Sequence, residues 1–174
     1  VENLLSVTRI EDGGMKIKKQ ADMLEDLIEE ALKHISRKSR EFSIRVSMED
    51  EMQLVNVDSR LILQVIINIV DNAVKYTPPG GEIVISTKKE KSFVHVQIAD
   101  NGKGIPDEDK PHIFEMFYTA NNEITDSKRS LGLGLALCKS IINAHGGKIM
   151  VYDNEPKGAI FDFTVPAEEV EIHE

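Results

Sequence analysis

Residues 58–100 read DSRLILQVIINIVDNAVKYTPPGGEIVISTKKEKSFVHVQIAD. Two hydrophobic periods meet in this stretch. Up to Tyr76 the apolar residues recur every three to four positions, which predicts a helix starting at Asp58 or Ser59 and stopped by Pro78, Pro79 and the glycine pair behind them. Beyond it, EIVISTKKE and SFVHVQIAD alternate with period two. They predict an antiparallel hairpin with Ile83, Ile85, Val94, Val96 and Ile98 facing inward.

At the chain's start, the segment VENLLSVTRIEDGG predicts the tail of a helix closed by Gly13 and Gly14. After the alternating MKIKKQ, a helix is expected from about Ala21 to Arg40, with Leu24, Leu27, Ile28, Ala31 and Ile35 on one face. FSIRVSM and QLVNVD read as two short strands, the first with Phe42, Ile44, Val46 and Met48 on one side. On the other flank, Asn101 to about Arg129 is irregular, apart from the apolar FEMF, and a loop of that length is a functional lid or a disordered segment. Leu131 to His145 is helical again, and KIMVYD with AIFDFTVP closes the chain as a hairpin. This order predicts an α+β fold, a two-layer α/β sandwich with helices on one face of a mixed, mostly antiparallel sheet.

The chain has 174 residues, 41% hydrophobic and 29% charged, enough for one domain with its own core. Its longest apolar run, Leu61 to Val70, is interrupted by Gln64 and Asn68, which excludes a transmembrane span. One cysteine, Cys138, excludes a disulfide framework and a multi-cysteine zinc site. With no signal segment, a cytoplasmic domain is expected. A net charge of −9 argues against a nucleic-acid partner, so any anionic ligand must be held by local devices.

Three such devices are legible. At 100° per residue, Gln64, Asn68, Asp71, Asn72 and Lys75 fall within a sector of roughly 100° on the helix before Pro78. Carboxamide oxygens suit Mg²⁺, which keeps most of its waters and takes one or two protein oxygens plus phosphate oxygens. Asn68 and Asn72 are the candidates, with the Lys75 ammonium beside a phosphate; the alternative is a solvated face that happens to use Asn. Second, Asp100 ends a strand just before NGKGI, where Gly102 and Gly104 permit positive φ and close approach to bare backbone. A buried carboxylate needs an N–H partner, which the exocyclic amine of adenine offers and the guanine carbonyl does not; alone, a DNG is also simply a turn. Third, SLGLGLALCKSI puts Gly132 and Gly134 at a helix N-terminus, where free N–H groups and the helix dipole favour phosphate, although no GK[ST] follows.

Read together, NIVDNAVKYT, DNGKGI, FEMF and LGLGLALCKSIINAHGG closely resemble, in order and spacing, the N, G1, F and G2 boxes of sensor histidine kinases, members of the GHKL ATP-binding superfamily. The resemblance covers about Lys16 to Pro166. It implies a Bergerat-type sandwich binding ATP and Mg²⁺ between the Asn68 helix and a lid at about 107–131. By that pattern Asn68 and Asn72 serve the metal and phosphates, Lys75 a phosphate, Tyr76 the adenine pocket and Asp100 the adenine amine. Gly102, Gly104, Gly132 and Gly134 are backbone-binding positions, and Ile105, Phe117, Leu133 and Leu135 complete the nucleotide set. Lys128 and Arg129 fall where the family often places a cation near the γ-phosphate. Phe114 and Phe117 are either lid anchors or ordinary core.

The sequence departs from the family pattern at Ser130 and Leu131, which add bulk at the lid hinge, and at Gly158-Ala159-Ile160-Phe161, where a threonine hydroxyl is missing. The five histidines, His34, His95, His112, His145 and His173, all lie outside an HELRTP-like context, so each is expected to be structural or solvated. Residues 1–14 resemble the end of the second helix of a dimerisation and phosphoacceptor domain. The resemblance therefore implies a catalytic domain at 15–167 and a tail at 168–174. It further implies a phosphoacceptor histidine on an upstream helical domain, a response regulator downstream, and a membrane-anchored homodimeric parent. Two competing readings remain, a nucleotide-binding regulatory module and a gyrase- or chaperone-type ATPase; the latter carries a glutamate base where Asn68 stands.

Overall fold

The computed structural model describes residues 16–35, 42–115 and 133–168. In chain order the elements are β1 (Gln20–Met23), α1 (Leu24–Lys33), β2 (Ser43–Met48), β3 (Leu54–Val57), α2 (Ser59–Tyr76), β4 (Glu82–Glu90), β5 (Phe93–Asp100), α3 (Leu133–Ala144), β6 (Ile149–Asp153) and β7 (Ala159–Pro166). Five strands form one sheet in the order β2-β4-β5-β7-β6, and β1 pairs with β3 in a separate ribbon. The main sheet is antiparallel except at one edge, where β2 runs parallel to β4 with Ile44 opposite Ile83.

The period-two pattern became the sheet's two faces. Ile83 and Ile85 on β4, Val94, Val96 and Ile98 on β5, and Phe161, Phe163 and Val165 on β7 are all buried. Against them pack Ile62, Val65, Ile66, Ile69, Val70 and Ala73 of α2, with Leu24, Leu27, Ile28 and Ala31 of α1 and Leu137, Ile141 and Ile142 of α3. Each fully buried Ile or Leu contributes about 1.5–3 kcal/mol relative to exposure, so this layer of aliphatic side chains sets the orientation of α2. The polar stripe of α2 is thereby turned away from the core.

Both ends of the first long helix differ from the sequence expectation. Helix α1 starts at Leu24, not Ala21, because residues 20–23 pair with residues 54–57 and Leu24 N donates to Gln53 O at 3.0 Å. Strand partners outweigh local helix propensity there. The other end of α1 is at Lys33, capped by His34, short of the expected Arg40. The last helix is described from Leu133, and its expected start at Leu131 lies outside the described residues. The expected helix tail at 1–14, residues 36–40 of the first long helix, and most of the lid lie outside the described residues.

Thr77 ends α2 in an extended conformation, φ −107° and ψ 129°. The cause is local: a residue before proline is pushed out of the helical region by the pyrrolidine ring, and Pro78 follows. Gly81 N then donates to Pro78 O at 3.0 Å, closing the turn that leads into β4.

Candidate nucleotide site

The site begins on the exposed side of α2. Gln64 Nε2 donates to Asn68 Oδ1 at 2.9 Å, and Asn68 Nδ2 faces Gly134 O at 3.5 Å, so Asn68 spans from α2 to the first turn of α3. Asn72 is half-buried one turn further on, and Lys75 is exposed, its Nζ 5.5 Å from the centre of the Tyr76 ring. Beside Gly134 a Cβ would meet nothing within 4 Å, so the opening of α3 presents backbone to open space. Leu135 is half-buried against the core and Leu133 opens the helix.

At the other end of α2 stands Asp100, 4% exposed. Its Oδ1 accepts the N–H of Gly102 at 2.9 Å and of Ala159 at 3.3 Å. Both donors address the same oxygen; among the described residues no hydrogen bond falls on Oδ2. Burial raises the Asp100 pKa above the ordinary carboxylate value, and the two N–H groups oppose that rise. The Asp100 carbonyl accepts Asn154 Nδ2 at 2.8 Å, which fixes the backbone of this strand end.

The glycines around it have distinct reasons. Gly104 has φ +78°, the left-handed region expected for it. Gly102 does not need positive φ: a Cβ there would lie 2.6 Å from Tyr76 O, so the close approach of α2's end demands glycine. Gly158, not singled out from sequence as a site residue, has φ +110° and would place a Cβ 1.9 Å from Asp100 O. The structure thus brings Tyr76, Thr77, Asp100, Gly102, Gly104 and Gly158 together. Ile105 packs half-buried on the core.

Asn154, Ala159 and Thr77 lie against the Asp100 turn, and none of the three is among the site residues read from sequence. A backbone donor carries no side-chain signature, and Asn154 acts on a residue 54 positions away. Only Thr77 had a readable signal, its place between Tyr76 and Pro78. In the segment expected to begin the lid, Lys110 Nζ pairs with Asp107 and, at 2.7 Å, with Asp153, tying residues 107–110 to the end of β6. Phe114 meets Phe161 edge-on at 6.2 Å, which makes it part of the core rim. Phe117, Lys128, Arg129 and Gly132 lie outside the described residues. Among the described residues no group of three His, Cys, Asp or Glu side chains is placed to hold a metal.

Residues 57–169 match the model of the histidine kinase-, DNA gyrase B- and HSP90-like ATPase family. The chain belongs to that family. As an ATPase family, it has ATP as its nucleotide. Among curated proteins, the Sensor protein KdpD of Clostridium acetobutylicum is 44% identical over 168 residues, 97% of this chain and 19% of the relative. The chain therefore spans about a fifth of that relative's length. The solved nucleotide-free catalytic domain of the histidine kinase ThkA superposes with a TM-score of 0.77 at 33% identity, covering 86% of this chain and 95% of that one. A second ThkA structure, in complex with the response regulator protein TrrA, gives a TM-score of 0.77 at 29% identity over 96% of this chain and 48% of that one. In this family member the two-layer fold positions the polar stripe of α2 between the Asp100 turn and the first turn of α3.

Proposed function

We propose that this chain is the catalytic domain of a sensor histidine kinase, binding Mg-ATP and presenting the γ-phosphoryl group to a histidine on a separate helical domain. The observation that carries this reading is Asp100, a buried carboxylate whose two backbone donors converge on one oxygen and leave the other to a ligand amine. From Asn68 to Tyr76 the helix rises about 12 Å, enough to run from the base at the Tyr76 end to the phosphates at the Asn68 end. Lys75 offers an ammonium along that path, and the bare backbone of Gly134 receives phosphate oxygens at the head of α3, a role the family pattern extends to Gly132.

The donor set fits Mg²⁺: Asn68 and Asn72 are neutral, hard carboxamides one turn apart. Asn68 Oδ1, which accepts from Gln64, is exchangeable for a metal because Gln64 is itself only half-buried. When bound, the ion neutralises charge developing on the transferred phosphoryl group. The protein's own part is positioning: Asp100 fixes the base, the α2 stripe fixes the phosphates, and Lys128 and Arg129 are assigned the cation near the γ-phosphate by the family pattern alone. The Cys138 thiol is buried and pushed up to about 12, which removes it as a nucleophile.

The acceptor histidine belongs to a separate helical domain of the parent protein, and the phosphoryl group passes on to a response regulator. The parent is a membrane-anchored homodimer with this domain in the cytoplasm; among the described residues no helix is long and apolar enough to cross a membrane. Incubated alone with labelled ATP, the chain is expected to bind nucleotide and gain no phosphohistidine. Adding the parent's helical domain is expected to give slow labelling of that partner, because an untethered pair lacks the effective concentration of a linked one. Acid-labile phosphate on a histidine of this chain would overturn the assignment of roles, and ATP binding with no transfer to the partner would favour a regulatory module. A gyrase- or chaperone-type ATPase is disfavoured by Asn68, which has no basic group to activate water.

A further inference from the structure

We propose that Thr77 is a second recognition residue for the base, its hydroxyl supplying the hydrogen-bond donor that Asp100 cannot. This rests on the reading of Asp100 as the acceptor for the adenine amine. Thr77 is 4% exposed, and its Oγ1 is the buried side-chain polar atom that lacks a hydrogen-bond partner among the described residues. An unpaired buried hydroxyl costs about 1–3 kcal/mol, so its persistence beside a binding site points to a partner that arrives with the ligand.

The surroundings of Thr77 fix its direction. Its Cγ2 lies 2.1 Å from where a Cβ on Gly81 would stand, so the methyl is packed over the bare Gly81 backbone. Its Oγ1 lies 3.2 Å from the Cβ position of Gly102, and Asp100 Oδ1 lies 3.1 Å from that same point. Thr77 and Asp100 therefore flank one spot, from the end of α2 and the end of β5 respectively. Pro78 holds the Thr77 backbone extended, which keeps the hydroxyl off the α2 carbonyls that a helical threonine would reach. On the other side of Asp100, Ala159 contributes only its backbone N–H.

The chemistry of the adenine edge supplies the missing half. It presents an amine donor next to a ring-nitrogen acceptor, N1, and an ionised carboxylate can satisfy only the donor. The Thr77 hydroxyl donates toward N1, directly or through one bound water, and the donor–acceptor pair is read as a pair. Guanine reverses both groups.

Binding of ATP and of 1-deaza-ATP, which has carbon in place of N1, to wild type, Thr77→Val, Thr77→Ser and Asp100→Asn tests this. Thr77→Val is expected to weaken ATP about five- to tenfold, Thr77→Ser less than about twofold, as for one neutral hydrogen bond. Wild type is expected to bind 1-deaza-ATP more weakly than ATP by the same factor, and Thr77→Val to bind the two alike. Without nucleotide, Thr77→Val is expected to melt no lower than wild type, since valine removes an unpaired hydroxyl without changing volume. A Thr77→Val protein that still distinguishes the two nucleotides, loses both equally, or melts lower while binding ATP normally overturns the inference. If Asp100→Asn also weakens ATP, the failure is confined to Thr77; if it binds ATP as wild type does, the adenine reading itself has failed.

Discussion

His145 Nε2 accepts the backbone N–H of Asp58 at 3.0 Å, joining the end of α3 to the start of α2 across 87 positions of sequence. Its Nδ1 lies 2.7 Å from Ile141 O, so the ring is neutral with the proton on Nδ1, donating to that carbonyl. Burial lowers the His145 pKa below its ordinary value. Protonation would set an N–H against an N–H. The contribution to stability is thus full above the unfolded pKa of about 6.5 and is lost as pH falls through the lower folded value. Thermal melts are expected to show wild type losing more stability between pH 7.5 and 5 than His145→Ala, which should itself be about 2–3 kcal/mol weaker at pH 7.5. Parallel pH profiles for the two proteins would refute the linkage.

Asp100→Asn separates binding from folding. The amide oxygen is expected to take the Oδ1 place beneath the Gly102 and Ala159 N–H groups, which turns the amide nitrogen toward the ligand amine. ATP affinity should fall more than tenfold. Because burial raises the Asp100 pKa, the carboxylate costs the folded protein stability as pH rises through that value. The nucleotide-free variant should therefore melt at or above the wild-type temperature at neutral pH. A lower melting temperature would assign Asp100 to the fold instead.

Gly158→Ala should fail structurally. With φ +110° and a Cβ position 1.9 Å from Asp100 O, an alanine must displace the β5 end, at a cost of about 3 kcal/mol or more. Denaturant melts would register the loss, and ATP affinity should drop with it because Asp100 moves. Normal stability and binding would show that the β6–β7 turn does not support the site.

Replacing Asn68 or Asn72 with Ala is expected to reduce ATP affinity at least tenfold in Mg²⁺ and less than about threefold in a metal chelator, since the atom lost is the proposed metal ligand. The nucleotide-free cost should stay within about 1 kcal/mol, because both side chains are only half-buried. Equal losses with and without Mg²⁺ would assign these residues to direct nucleotide contact or packing.

What the sequence determined by itself was whatever depends on neighbours a few residues apart. The period of Ile62, Ile66 and Ile69 against Asn68 and Asn72 defines both faces of α2. The alternation through Ile83–Ile98 defines the hairpin, and Pro78 the helix stop, because each acts on backbone geometry within one turn or one pleat. The tertiary structure decided the rest. Residues 20–23 became a strand because residues 54–57 offered unpaired backbone. Gly102 is required by Tyr76 O and Gly158 by Asp100 O, contacts between segments far apart in the chain. The second oxygen of Asp100 carries no hydrogen bond among the described residues because Ala159, 59 positions downstream, donates to the same oxygen as Gly102. Such meetings depend on which layers the buried aliphatic residues bring together, and no local periodicity encodes them.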